Sequence, residues 1–266
     1  MTGNADEWIG HELGKHTISY DERDAILYAL AVGAGADDLD LVFEDRLRVL
    51  PTFALTLAQW APDTLGSAGA FDTSTAVHGS QRLQVLAPLP RSGSFDTVAS
   101  VPHVWDKGRA AIFEVAVESD YFVATWSIFA PGCGGFGGDR GPSTPERGEE
   151  VADRSLQVPT FPTQAALYRL LGDRHHMHID PDAAQAAGQP GPFLHGLCSL
   201  ASVTLPLAAE LGAHPADLTT LEGRFAAPVF PGDVLDVSVQ PRDSSARFEV
   251  TADGRPAITG GSAAFG

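Results

Sequence analysis

The chain has 266 residues, 44% hydrophobic and 19% charged, enough to bury a core without disulfide or metal staples. Acidic residues outnumber Lys and Arg by 34 to 17, a formal charge of −17 that repels nucleic acid and anionic lipid. There is no run of about 18 apolar residues to suggest a membrane span, the polar start MTGNADEWIGHELG does not read as a signal peptide, and Cys133 and Cys198 form no CxxC pair, so a reducing cytoplasm is the expected setting.

AILYALAVGAG (25–35) reads as a helix, and VLPTFALTLAQWA (49–61), beyond an acidic stretch, as a longer one. HGSQRLQVLAPLPRSG (78–93) opens a run of strands. AAIFEVAVESDYFVATWSIFA (110–130) is rich in β-branched and aromatic residues and split by the polar ESD, which predicts a two-strand hairpin. The next stretch, APGCGGFGGDRGPSTPERGEEVADRS (130–155), is rich in Gly, Pro and charge and predicts an exposed connection between two halves. Its GGFGG run lacks the Lys-Ser/Thr of a phosphate loop and reads as a flexible cover or plain linker. PTQAALYRLLG (162–172) predicts a short helix. FLHGLCSLASVTLPLAAEL (193–211) has apolar residues all round and predicts a buried helix. EGRFAAPVFPGDVLDVSV (222–239), with its Pro-Gly-Asp turn, and ARFEVTA (246–252) read as strands with one face covered.

Both halves follow one order: helix, loop, longer helix, strands. Tyr28 to Arg82 spans 54 residues and Tyr168 to Arg224 spans 56, which argues for an internal duplication. The expected class is α+β, with an antiparallel sheet curled around a buried helix in each half.

Between the short helix and the buried one lies GDRHHMHIDP (172–181), with Asp173, His175, His176 and His178 in six residues. Three chemistries compete there. His175 and His178 have a spacing that can share a metal, with His195 as the third ligand, but the flanking acids are spaced irregularly. Solvated histidines in a polar loop are the plain alternative. The third is an acid–base pair of Asp173 and His178. Five positions would put them about 140° apart on a helix, so the chain must bend, and Gly172 and Pro181 permit that. Such a pair can hold a water and both take and give a proton near neutrality.

YRLLGDRHHMHIDPDAAQAAGQPGPFLHGLCS (168–199) resembles the signature of type-2, MaoC-like (R)-specific enoyl-CoA hydratases, roughly Y-R-L-S-G-D-x-N-P-L-H-x-D-P followed by A-x-x-A-G-F-x-x-P-I-L-H-G-L. YALAVGAG, VLPTF and VWDKGRAA resemble the family's first repeat and middle, so the likeness runs over nearly the whole chain. The resemblance implies a double hot-dog fold: residues 1–130 a degenerate N-terminal repeat, 131–155 a linker, 156–266 the catalytic repeat. It implies reversible hydration of a trans-2-enoyl-CoA to the (3R)-3-hydroxyacyl-CoA without cofactor or metal. Asp173 and His178 match the catalytic pair, and Gly196 the glycine whose N–H meets the thioester oxygen. A backbone N–H at the start of a buried helix suits the charge that develops there. His195 reads as a packing or hydrogen-bonding residue. The first half has GAG where the second has GDRHHMH, so one site per chain is expected.

The sequence departs from the family at the Asn two after the Asp, which is His175 here, and at Pro-Leu, which is His176-Met177. His175 is expected to position the water through a ring N–H. The expected partner is an acyl-CoA thioester, with no nucleic acid, no membrane and a homodimer possible. The CoA phosphates would need Lys107, Arg109, Arg140 or Arg224, and the acyl pocket should be lined by the degenerate half. The competing functions are a dehydratase or conjugate-addition lyase of a biosynthetic pathway, a degenerate acyl-CoA binding subunit, and a hot-dog thioesterase.

Overall fold

A computed structural model describes residues 4–143 and 153–266; the part of the expected linker at 144–152 lies outside the described residues. The N-terminal half runs β1 (His11–Tyr20), α1 (Glu22–Ala31), α2 (Leu39–Val42), α3 (Phe53–Leu57), α4 (Trp60–Ser67), β2 (Val77–Val85), β3 (Gly93–Asp106), β4 (Ala110–Glu118) and β5 (Phe122–Pro131). The C-terminal half runs β6 (Arg154–Pro159), α5 (Gln164–Tyr168), α6 (Pro181–Ala186), α7 (Gly196–Glu210), β7 (Leu218–Phe225), β8 (Val234–Arg242), β9 (Ser245–Ala252) and β10 (Arg255–Phe265).

The strands form one antiparallel sheet in the order β1-β3-β4-β5-β2-β7-β10-β9-β8-β6. Each half contributes a contiguous block, and the blocks join where β2 pairs with β7, from Ser80 opposite Arg224 to Gln84 opposite Thr220. The two expected sheets are therefore fused, because pairing these two strands satisfies backbone groups that would otherwise be open edges. The expected hairpin at 110–130 is β4–β5, with Glu118 opposite Val123 beside the turn. β1 has no counterpart in the sequence reading. HELGKHTISY is mostly solvent-facing, burying Ile18 and Tyr20 near its end, so it lacks the alternation that marks a covered strand.

Each half wraps its sheet around helix, which is the double hot-dog arrangement. α7 packs against β6, β7 and β10, and burial of Leu197, Leu200, Val203 and Leu207 accounts for its all-round apolar sequence. The matching segment of the first half comes in two pieces, α3 and α4, where one longer helix was expected. Pro62 has no N–H for the carbonyl four residues back, and the Ala58 carbonyl accepts from Ala61 at 3.2 Å in a tight turn instead. Pro206 lies at the corresponding place in α7 without interrupting it. Tyr28 and Tyr168, which correspond in the duplication, meet between the halves with ring centroids 5.9 Å apart.

The described part of the Gly-rich stretch is not the flexible cover that its composition suggested. The Asp106 carboxylate accepts from the backbone N–H groups of Gly108 at 2.7 Å, Gly135 at 2.9 Å and Gly137 at 2.7 Å. These bonds, the one from Gly135 foremost, hold the Asp106 carboxyl below the usual carboxylate range.

Candidate active site

The loop after α5 is held against the first half. At Gly172 an added Cβ would stand 3.1 Å from the Thr56 carbonyl oxygen and 3.2 Å from the Thr56 Cβ, so only glycine passes there without displacing α3. The chain then turns through a 3₁₀ segment, His176–His178. Asp180 closes the bend by capping α6, accepting from the Asp182 N–H at 2.9 Å with Pro181 at the first helical position.

That bend brings Asp173 and His178 together. His178 donates its Nδ1–H to the Phe193 carbonyl at 2.8 Å, which leaves Nε2 as the bare nitrogen. Nε2 lies 3.8 Å from Asp173 Oδ2. This is too long for a direct hydrogen bond, but one water about 2.8 Å from each atom fits between them. The other carboxylate oxygen, Oδ1, accepts the His175 backbone N–H at 2.9 Å and the His175 ring Nδ1–H in a close contact. The His175 ring N–H thus reaches the carboxylate and not the gap.

His195 caps the assembly from behind. It donates Nε2–H to the Asp173 carbonyl at 3.0 Å and stacks on His178 with centroids 3.8 Å apart and planes 29° apart. Tyr168 backs His195 at 4.9 Å.

Burial pushes His178 below the ordinary imidazole value against the pull of Asp173. Burial, then the neighbouring His178, pushes His195 down to about 3. For Asp173, burial acts upward, but the His175 bond and the surrounding imidazoles outweigh it and hold the carboxyl well below its usual range. The Asp173 bond raises His175 against burial, with Asp63 adding to the rise. Near neutrality the site therefore holds an ionised carboxylate beside two neutral imidazoles.

Gly196 is the first residue of α7, where the N–H has no partner inside the helix. A Cβ there would stand 2.9 to 3.1 Å from the Phe225 ring. Asp173, His175 and Gly196 line one cavity of about 820 Å³, and the first half closes it with Thr56, Asp63 and Trp126 among others. His178 is buried just behind that wall, its side chain 8% exposed.

Lys107, Arg109, Arg140 and Arg224 are not among the residues lining the cavity; the Lys107 ammonium instead contacts the Arg140 carbonyl. Sequence reasoning missed His78, which does line it. Its ring donates Nε2–H to the Ser80 carbonyl at 3.0 Å and meets the Phe225 ring edge-on at 4.8 Å, and burial lowers it to about 4. No local pattern in VHGSQ marks that role.

Asp173, His178 and His195 place one donor atom each within 4.8 Å of one another, a different trio from the His175, His178 and His195 set that the sequence spacing offered as the competing metal alternative. Metal chemistry fits this trio poorly. The two imidazoles are stacked at 3.8 Å, so their in-plane lone pairs run in nearly parallel planes and do not meet on one ion about 2.0–2.1 Å from each nitrogen.

The chain matches two family models, the MFE-2 hydratase 2 N-terminal domain over residues 18–129 and the MaoC like domain over residues 144–257. It is 39% identical over 258 residues to the enoyl-CoA hydratase ChsH3 of Mycobacterium tuberculosis, covering 90% of each chain. It is 32% identical over 263 residues to the peroxisomal enoyl-CoA hydratase 2 of Arabidopsis thaliana, covering 87% of this chain and 85% of that one. Among solved structures, the MaoC-like dehydratase from Phytophthora capsici superposes with a TM-score of 0.88 at 25% identity, covering 99% of this chain and 98% of that one.

Proposed function

The chain belongs to the MaoC-like hydratase 2 family of hydro-lyases, and on that premise we propose that it reversibly adds water to a trans-2-enoyl-CoA to give the (3R)-3-hydroxyacyl-CoA. Residues 1–130 serve as the degenerate half that walls the cavity, 131–155 as the connection, and 156–266 as the catalytic half.

Asp173 Oδ2 and His178 Nε2 hold the water from one side. The water oxygen bonds to Cβ while one of its protons passes to the pair. The double-bond electrons move toward the thioester, and the Gly196 N–H stabilises the charge that forms on its oxygen. The pair then returns a proton to Cα, so water is added across the bond. With the water held on one side only, one enantiomer results. His175 acts one step back: by occupying Oδ1 it turns Oδ2 toward His178, so it positions the water through the carboxylate. Cys133 and Cys198 are free thiols.

The observation that carries this reading is the 3.8 Å gap between Asp173 and His178, with Asp173 lining the cavity that Gly196 also lines and His178 buried just behind its wall. The test is the enoyl-thioester absorbance of crotonyl-CoA and longer homologues, read together with free thiol and product chirality. Loss of absorbance without thiol release and a (3R) product support the reading. Thiol release would make the chain a thioesterase, and binding without turnover an acyl-CoA binding subunit.

A further inference from the structure

The first-half wall of the cavity differs in chemistry from its counterpart in the duplication. Thr56, Gln59, Asp63 and Ser67 all line the cavity, and their spacing of three and four residues puts them on one stripe of α3–α4. Taking Leu50 to correspond to Leu194 and Pro62 to Pro206, the same positions in the second half are Leu200, Val203 and Leu207 of α7 and Leu211 just beyond it. Leu200, Val203 and Leu207 are fully buried. The second half thus covers this stripe with hydrocarbon, whereas the first half turns a polar stripe into the substrate cavity.

The hydrogen bonds within the stripe decide what it offers. Thr56 spends its Oγ1–H on the Phe53 carbonyl at 2.9 Å. Gln59 donates from Nε2 to Asp63 Oδ1 at 3.1 Å. Toward the cavity the stripe then offers acceptors, namely the second Asp63 oxygen, the Gln59 Oε1 and the Thr56 hydroxyl lone pairs, beside the second Nε2–H of Gln59 and the Ser67 hydroxyl. Burial pushes the Asp63 carboxyl upward, although the residue as a whole keeps solvent-exposed surface. Asp63 lines the same cavity as Asp173 and His175, so an acyl chain reaching the acid–base pair would share that cavity with the stripe. The neighbouring wall of Phe71, Trp126 and Ile128 is apolar and suits a carbon skeleton.

We propose that the acyl group this site accepts carries hydroxyl groups beyond Cβ, which donate to the acceptors of the α3–α4 stripe. A plain alkyl chain would leave those acceptors without partners when it displaced their water. The inference rests on the hydratase reading and names its substrate class.

The test compares two enoyl-CoAs of equal length, one unbranched alkyl and one hydroxylated at the δ or ε carbon, with the wild type and the Asp63→Leu and Gln59→Leu variants. The readout is the ratio of kcat/KM for the two substrates, which a general effect on His175 would not move. The wild type should favour the hydroxylated substrate by about tenfold or more, since a site built to hydrogen-bond discriminates strongly against an analogue lacking the group. Asp63→Leu should abolish or invert that ratio. Because Asp63→Leu could perturb α4, Asp63→Asn serves as the second variant, and its ratio should lie between the two. Equal turnover of both substrates, or a ratio that none of the variants shifts, overturns the inference and leaves the hydratase reading standing. Turnover of neither overturns both.

Discussion

The Gly196 backbone and the Phe225 ring sit so close that a methyl group at Gly196 would lie 2.9 Å from Phe225 Cδ1. The tip of α7, where the thioester oxygen is held in the proposed reaction, is thus set by a β7 side chain. Gly196→Ala should push the tip aside and lower kcat/KM by about 10²-fold, the scale seen when an oxyanion donor is lost. Adding Phe225→Ala makes room and should restore much of that loss. A double variant no better than Gly196→Ala would separate the glycine from the ring.

Asp173→Asn and His178→Ala should each reduce kcat by about 10²–10⁴-fold, the range of a positioned acid–base group. Circular dichroism should show the fold intact. The Asp173 side chain is 18% exposed, and the change to Asn keeps its shape. Turnover near wild type in either variant would remove the pair from the mechanism.

His175→Asn restores the residue of the family pattern. The backbone bond to Asp173 Oδ1 at 2.9 Å does not depend on the ring, so the carboxylate keeps one of its two holds. Hydration of crotonyl-CoA should be retained or raised. A collapse in rate would give the His175 ring a chemical part of its own.

The pH profile follows from His178. Its folded value is lowered, burial being the larger cause. The neutral, proton-accepting form therefore persists below the ordinary histidine value of about 6.5 and is lost only as pH falls through the lowered one. Asp173 stays ionised across that window. The acid limb of kcat/KM for hydration should accordingly lie below about 6.5. A limb at or above that value would contradict the buried environment of His178.

Asp106 should matter for stability and not for chemistry. Its folded value is depressed, so its contribution is present above the unfolded value of about 3.9 and is lost as pH falls toward the folded one. Asp106→Asn should lower the melting temperature near neutrality and flatten its acid dependence, with hydrogen exchange rising at Gly135 and Gly137, whose N–H groups it now holds. Unchanged exchange at those two amides would show that the loop is held by other contacts.

Local chemistry was legible in the sequence. The apolar density of 193–211 announced a buried helix, the β-branched run split by ESD announced the β4–β5 hairpin, and the matched spacings from Tyr28 and Tyr168 announced two like halves. Asp173, the histidines after it and Gly196 stood out because their types and order are written within one short stretch. Periodicity and spacing report a residue's own element, and these features depend on little else.

Tertiary structure decided what depends on partners far along the chain. It fused the two sheets at β2–β7, because edge strands are satisfied by whichever strand lies beside them. It pinned the Gly-rich stretch to Asp106, 31 residues before Gly137, and turned the His175 ring N–H onto Asp173. It also brought His78 and the polar stripe of α3–α4 into the cavity wall. Hydrogen bonds and burial act through space, so a local pattern names the groups able to react but not which of them will face one another.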